Sequence, residues 1–224
     1  MQSTFRSGGR DIRIDMHEPK TSSPHPAIIL MHGSGGNIGF WLDRLAPALS
    51  AMGVALYAPH YFERTDTVRA DFATITDGVH VPQWLSTLDA ALTFASTRPG
   101  VDASRIALIG ISLGAFLSLG FAAELSASAD PATRRRVRAL VDLSGGLVEP
   151  YATHATGAFP PTLIVHGEAD DVVPVSHARG LDKLLTSLKV KHETHLIPGE
   201  GHWFSGAAQM QLLLAVAGFF GKNL

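Results

Sequence analysis

The chain has 224 residues, the size of one large domain, with 46% hydrophobic and 17% charged residues, a formal net charge of -2 and no cysteine. The lack of cysteine excludes disulfides, thiolate metal sites and a cysteine nucleophile, and so small a net charge gives no field to draw in nucleic acid. The longest apolar runs, Ala27 to Met31 and Leu212 to Val216, are far shorter than the roughly 20 residues of a membrane span, and residues 1–20 carry charges where a secretory signal has an apolar core, so a cytoplasmic address is expected.

Along the chain, short runs rich in β-branched residues alternate with helical periods, the pattern of parallel strands joined by crossover helices. Strands are expected near 11–16, 26–31, 54–58, 105–109, 139–143, 162–166 and 193–197. The continuous apolar runs Ala27 to Met31 and Ile106 to Ile109 suit strands covered on both faces. Thr21 to Pro24 reads as a turn before the second strand. Trp41, Leu42, Leu45 and Leu49 recur at helical spacing, as do Trp84, Leu85, Leu88 and Leu92, and both stripes are read as core. Further helices are expected at 113–126, 175–188 and 205–221. Arg134 to Arg136 with Arg138 form the one basic run, a solvated helix face. There is no internal repeat and no shift in composition, so residues 1–224 read as one domain. Monomer and homodimer are both left open.

The chemistry concentrates at strand ends. Gly110-Ile111-Ser112-Leu113-Gly114 follows one strand and opens a helix, the context of a nucleophile elbow, in which flanking glycines let the chain turn and lift the serine above the sheet. A serine hydroxyl needs a base held in one tautomer by a third group. The loop Glu168-Ala169-Asp170-Asp171 supplies an acid after the strand 162–166, and Gly199-Glu200-Gly201-His202 puts a histidine on a loop after the last strand. Ser112, Asp170 and His202 then stand in the chain order of nucleophile, acid and base that this architecture uses. Asp171 and Asp142 also lie near strand ends. Two backbone donors for an oxyanion are expected from Leu113 and from Ser34 in the loop His32-Gly33-Ser34-Gly35-Gly36-Asn37. That loop is no phosphate cradle, since Ile38 stands where a third glycine is required and no Gly-Lys-Ser/Thr ending follows. His32 and His166 read as structural or supporting residues, and His192 and His195 as packing or surface residues. No histidine pair has metal-site spacing, so neither a metal nor a cofactor is expected.

Taken together, His32-Gly33, Ala58-Pro59, the elbow, His166-Gly167 through Asp170 to Val173-Pro174, and Gly199-Glu200-Gly201-His202-Trp203-Phe204 resemble the dienelactone hydrolase-like branch of the α/β hydrolases over nearly the whole chain. The resemblance implies a three-layer α/β-hydrolase fold with a mostly parallel central sheet. It also selects Asp170 over Asp171 as the acid beside the Val173-Pro174 pair. The family's namesakes carry cysteine where this chain has Ser112, so the expected activity is that of a serine carboxylesterase on small esters or lactones. A dienelactone hydrolase proper, a peptidase or acyltransferase with the same triad, and a non-catalytic receptor are the alternatives. The span from Ser144 to Pro160 is too short for a lid domain. Arg64, in the long connection 60–80, stands where the family holds a substrate carboxylate, with a surface arginine or one paired with Glu63 or Asp66 as the alternative, while Trp203 and Phe204 occupy the place of the family's second arginine. Phe62, Trp203 and Phe204 are expected to line the substrate site and to favour neutral acyl groups.

Overall fold

The alternating runs fold into an eight-stranded sheet in a computed structural model that describes residues 1–20 and 24–224. Three residues of the expected turn, Thr21 to Ser23, lie outside the described residues. The strands are β1 Gln2–Ser7, β2 Arg10–His17, β3 His25–Met31, β4 Ala55–Pro59, β5 Val101–Ile111, β6 Ala139–Leu143, β7 Thr162–Gly167 and β8 His192–Ile197. Their order is β1-β2-β4-β3-β5-β6-β7-β8. The pairs β1/β2 and β2/β4 are antiparallel and the remaining pairs are parallel. The helices are α1 Ile38–Ala51, α2 Phe72–Thr76, α3 His80–Ser96, α4 Leu113–Ala127, α5 Pro131–Arg134, α6 Ser176–Ser187 and α7 Gly206–Asn223.

Strand periodicity divides the core in two. Along β3, Ile28 and Leu30 point to the face covered by α1 and α7, where they meet Leu45, Leu212 and Phe219. Ala27, Ile29 and Met31 point to the other face, packed against Trp84 and Leu88 of α3, Leu117 of α4 and Leu181 of α6. Both faces are covered, which is why β4, β6 and β7 are buried along their whole length and read as unbroken apolar runs. Each fully buried Leu, Ile or Phe removed from water stabilises this arrangement by about 1.5–3 kcal/mol before conformational entropy is subtracted.

Seven of the eight strands fall where the sequence places them. The edge strand β1 does not, because only Phe5 and Ser7 of its six residues are buried and its polar outer face gives no apolar run. The parallel strands all end at one edge, where the loops after β3, β4, β5, β6, β7 and β8 converge, the usual location of a ligand site in an open α/β sheet. Between β6 and β7 the chain makes only a 3-10 turn, Tyr151–His154, packed on α4 through Tyr151 beside Gly120 and a hydrogen bond from Ser126 Oγ to the His154 carbonyl (3.3 Å). No lid domain is built there.

Candidate active site

The strand-to-helix turn at Ser112 forces an unusual backbone. Ser112 sits at φ 53° and ψ -119°, a region that costs a non-glycine residue about 1–3 kcal/mol and persists only where the surroundings fix it. Its amide is held by the Leu143 carbonyl of β6 (2.8 Å), and its carbonyl accepts from the amides of Ala115 (2.9 Å) and Phe116 (3.2 Å). Two residues on, Gly114 has no side chain because a Cβ there would collide with the carbonyls of Met31 and His32. The elbow therefore packs directly onto the end of β3.

The three expected residues come together from three separate loops. Ser112 Oγ donates to His202 Nε2 at 3.1 Å, and His202 Nδ1 donates to Asp170 Oδ2 at 2.8 Å. All three are largely enclosed, with side-chain exposure of 5% for His202 and 0% for Asp170. Burial by itself would raise the Asp170 pKa, but hydrogen bonds from the amides of Val173 (2.8 Å) and Val172 (2.9 Å), together with His202, outweigh it and hold the carboxyl below its ordinary value. Asp170 is thus ionised at neutral pH and ready to orient the imidazole. Asp171 points to solvent. Asp142 is fully buried on β6 and makes no hydrogen bond to His202.

The loops carrying the acid and the histidine brace each other. Gly167 lets the histidine loop cross the end of β7, since a Cβ there would strike the carbonyls of Glu200 and Gly201. The Ala169 amide donates to the Glu200 carbonyl (2.9 Å). Glu200 in turn accepts from the Ser205 amide (2.7 Å) at the start of α7. His166, fully buried, donates from Nε2 to the Val173 carbonyl (2.8 Å) and stands 3.3 Å from Asp170 Oδ2. It supports the acid's loop, as its position after a strand suggests.

The elbow and the loop after β3 bring two backbone segments beside Ser112. Leu113 is the first residue of α4, so its amide has no partner inside the helix. Gly33 runs beside Ser112, and a Cβ built on it would stand 3.9 Å from Ser112 Oγ. Ser34 follows in this turn, its carbonyl fixed by the Ala70 amide (3.0 Å). His32 anchors the turn, with Nδ1 2.8 Å from the Gly33 carbonyl and its ring stacked on Tyr61 at 4.1 Å. Burial lowers the His32 pKa to about 4, so the ring is neutral at neutral pH. Tyr61, in the same connection as Phe62 and Arg64, donates its hydroxyl to the His32 carbonyl (2.8 Å). The connection 60–80 thus braces this turn from beneath.

Three residues sit elsewhere than the sequence suggests. Phe62 does not line the site: it is 5% exposed and packs between His32, Tyr61 and Trp84, because the 3-10 turn Tyr61–Thr65 folds its aromatic rings into the core. Arg64 leaves the same turn in the other direction and lays its guanidinium over Gly8 in the β1–β2 turn, with Nε buried and without a hydrogen bond among the described residues. Trp41, read as core, is half-buried at the site's rim. With Phe40, Ile111, Leu143, Ser144, His202, Trp203 and Phe204 it surrounds a narrow slot. Trp203 is 65% exposed and meets the His202 ring edge-on (5.2 Å), whereas Phe204 is buried beneath it.

A mostly parallel sheet between helical layers, a serine on a strained turn and a histidine and an aspartate from the last two strand loops define the α/β-hydrolase class. The dienelactone hydrolase family model matches residues 12–212, and the chain belongs to that family. It is 27% identical over 190 residues to acyl-coenzyme A thioesterase 5 of Mus musculus, covering 84% of this chain and 40% of that protein. It is 34% identical over 108 residues to the esterase EstD of Thermotoga maritima, covering 45% of this chain and 24% of that protein. The chain therefore spans less than half the length of these curated relatives. The crystal structure of a dienelactone hydrolase-like promiscuous phosphotriesterase from metagenomic libraries superposes with a TM-score of 0.82 at 19% identity, over 100% of this chain and 97% of the other.

Proposed function

We propose that the protein hydrolyses small, neutral carboxylic esters or lactones through an acyl-enzyme on Ser112. The observation that carries this reading is the relay from Ser112 Oγ to His202 Nε2 (3.1 Å) and from His202 Nδ1 to Asp170 Oδ2 (2.8 Å), at a serine held in a strained turn. In the first half of the reaction Ser112 Oγ bonds to the carbonyl carbon while its proton passes to His202 Nε2. The amides of Leu113 and Ser34 receive the developing oxyanion. Collapse breaks the ester C–O bond, and the leaving oxygen takes the proton from His202. Water then enters in place of the alcohol, gives a proton to His202 and releases the acid, with Ser112 recovering its proton. The Asp170 carboxylate fixes the tautomer and stabilises the imidazolium in both halves.

The preference for neutral substrates rests on Arg64, whose guanidinium lies over Gly8, and on the aromatic rim of Trp203, Phe40 and Trp41. The test is incubation with a fluorophosphonate followed by mass spectrometry, beside a pH-stat assay of ethyl acetate hydrolysis. Labelling confined to Ser112, with turnover lost in Ser112→Ala, is the expected outcome. Labelling at Ser34 or Ser144 would overturn the assignment of the nucleophile. A marked preference for a carboxylate-bearing lactone over ethyl acetate would favour the dienelactone hydrolase proper.

A further inference from the structure

Beside the histidine lies a slot that the chemistry of acyl transfer itself leaves unassigned. Its walls are Phe40 and Trp41 of α1, Ile111 and Leu143 at the ends of β5 and β6, Ser144, and the loop residues His202, Trp203 and Phe204, with Gln209 of α7. The enclosed room is about 30 Å³. The slot is thus narrow, with room for a small group and none for a bulky one.

The walls are fixed rather than soft. Phe40 and Trp41 meet edge to face at 5.2 Å and 82°. The Arg44 guanidinium sits 3.5 Å from the centre of the Phe40 ring and donates to the Phe40 carbonyl (2.9 Å). Ile111 and Leu143 belong to the sheet, where Ile111 pairs with Leu143 in register. Ser144 adopts φ 53°, a second left-handed non-glycine residue beside the elbow, which turns the chain away and leaves only a hydroxymethyl on that wall.

His202 decides what enters. The same imidazole closes the triad and lines the slot. Of the substituents on the tetrahedral carbon, the oxyanion faces the amides of Leu113 and Ser34. The leaving oxygen must face His202, because it takes its proton from Nε2. The group attached to that oxygen is therefore the part of the substrate brought to the His202 side. We infer that this slot is the alcohol subsite of the enzyme and admits short, neutral alkoxy groups. This rests on the esterase reading above and deepens it. The limit falls on the alcohol, and the slot sets none on the acyl chain.

The experiment holds one half of the ester constant while varying the other. With unactivated butyrate esters followed by pH-stat, kcat/KM should fall at least about tenfold from ethyl to benzyl alcohol, the scale on which a pocket rejects excess volume. With ethanol held constant, lengthening the acyl chain from acetyl to hexanoyl should change it by less than that. Trp41→Ala should recover at least about fivefold in the benzyl-to-ethyl ratio. Phe40→Ala, at a surface-exposed ring, should move the ratio in the same direction without risk to the fold. A flat alcohol series, or a ratio unmoved by both variants while fluorophosphonate still labels Ser112, would overturn the subsite and leave the esterase reading standing. Absence of both labelling and turnover for every ester would sink the two together.

Discussion

Asp142 offers a prediction that separates a structural carboxyl from a catalytic one. It lies on β6 opposite Gly110 of β5, is 0% exposed, and has neither oxygen hydrogen-bonded among the described residues. Burial raises its pKa from 3.8 to about 7, offset in small part by the Gly145 amide, which points at the carboxylate short of hydrogen-bond geometry. Because the folded-state value is raised, the native protein holds a proton between pH 3.8 and about 7 that the unfolded chain has released. The wild type therefore loses stability as pH rises through this window and is level above it. Roughly three pKa units at 1.36 kcal/mol each amount to a fall of about 4 kcal/mol, taken as an upper bound. Asparagine cannot ionise. Asp142→Asn carries only a fixed penalty of about 1–3 kcal/mol for its unpaired amide, the same at every pH. Urea unfolding of both proteins from pH 4 to pH 8 should thus show the difference in stability swinging toward the variant by up to about 4 kcal/mol. A difference that stays constant across that range would refute the reasoning. The variant should also keep kcat/KM within about threefold at pH 7, since no bond to His202 is lost.

The remaining expectations concern the site and its scaffold. Asp170→Asn should lower kcat by about three to four orders of magnitude, measured on ethyl acetate, because the imidazole loses its tautomer, whereas Asp171→Asn should stay within a few-fold of wild type. The hydrogen-bonded Asp170 carboxylate, with its lowered pKa, contributes stability above the ordinary carboxylate range that is lost as pH falls through its folded value, so Asp170→Asn should flatten the acid limb of the unfolding curve. Gly114→Ala should destabilise the protein by at least about 3 kcal/mol in thermal unfolding, since the added methyl meets backbone carbonyls of β3 and not a movable side chain. Arg64→Ala should change kcat/KM for a neutral ester and for a carboxylate-bearing lactone by the same small factor. A selective loss on the anionic substrate would place its guanidinium at the site after all.

Much of the site was legible because its local signals are strong. A glycine-flanked serine between an apolar strand and a helix leaves few other conformations, and the order of Ser112, Asp170 and His202 follows from strand ends that the apolar runs mark. Burial of whole strands such as β6 and β7 made the parallel sheet readable from composition alone. The edge strand β1 was not readable, since one polar face in solvent and two buried residues resemble a loop.

Direction is what the sequence withheld. Phe62 and Arg64 are two residues apart in one 3-10 turn, yet the ring goes under the β3 loop and the guanidinium over Gly8, a choice made by the aromatic cluster around Trp84 and by the space that a glycine hairpin leaves. Trp41 shares its helical stripe with Leu42 and Leu45, and only the approach of the His202 loop makes its ring a wall of the slot. By itself the sequence determined the layers, the strand ends and the residue types that meet there, because those depend on periodicity and on local backbone freedom. The tertiary structure alone decided which side chains turn toward Ser112 and His202 and which into the core, because that depends on packing between segments distant in the chain, where a rotation about one bond exchanges one for the other.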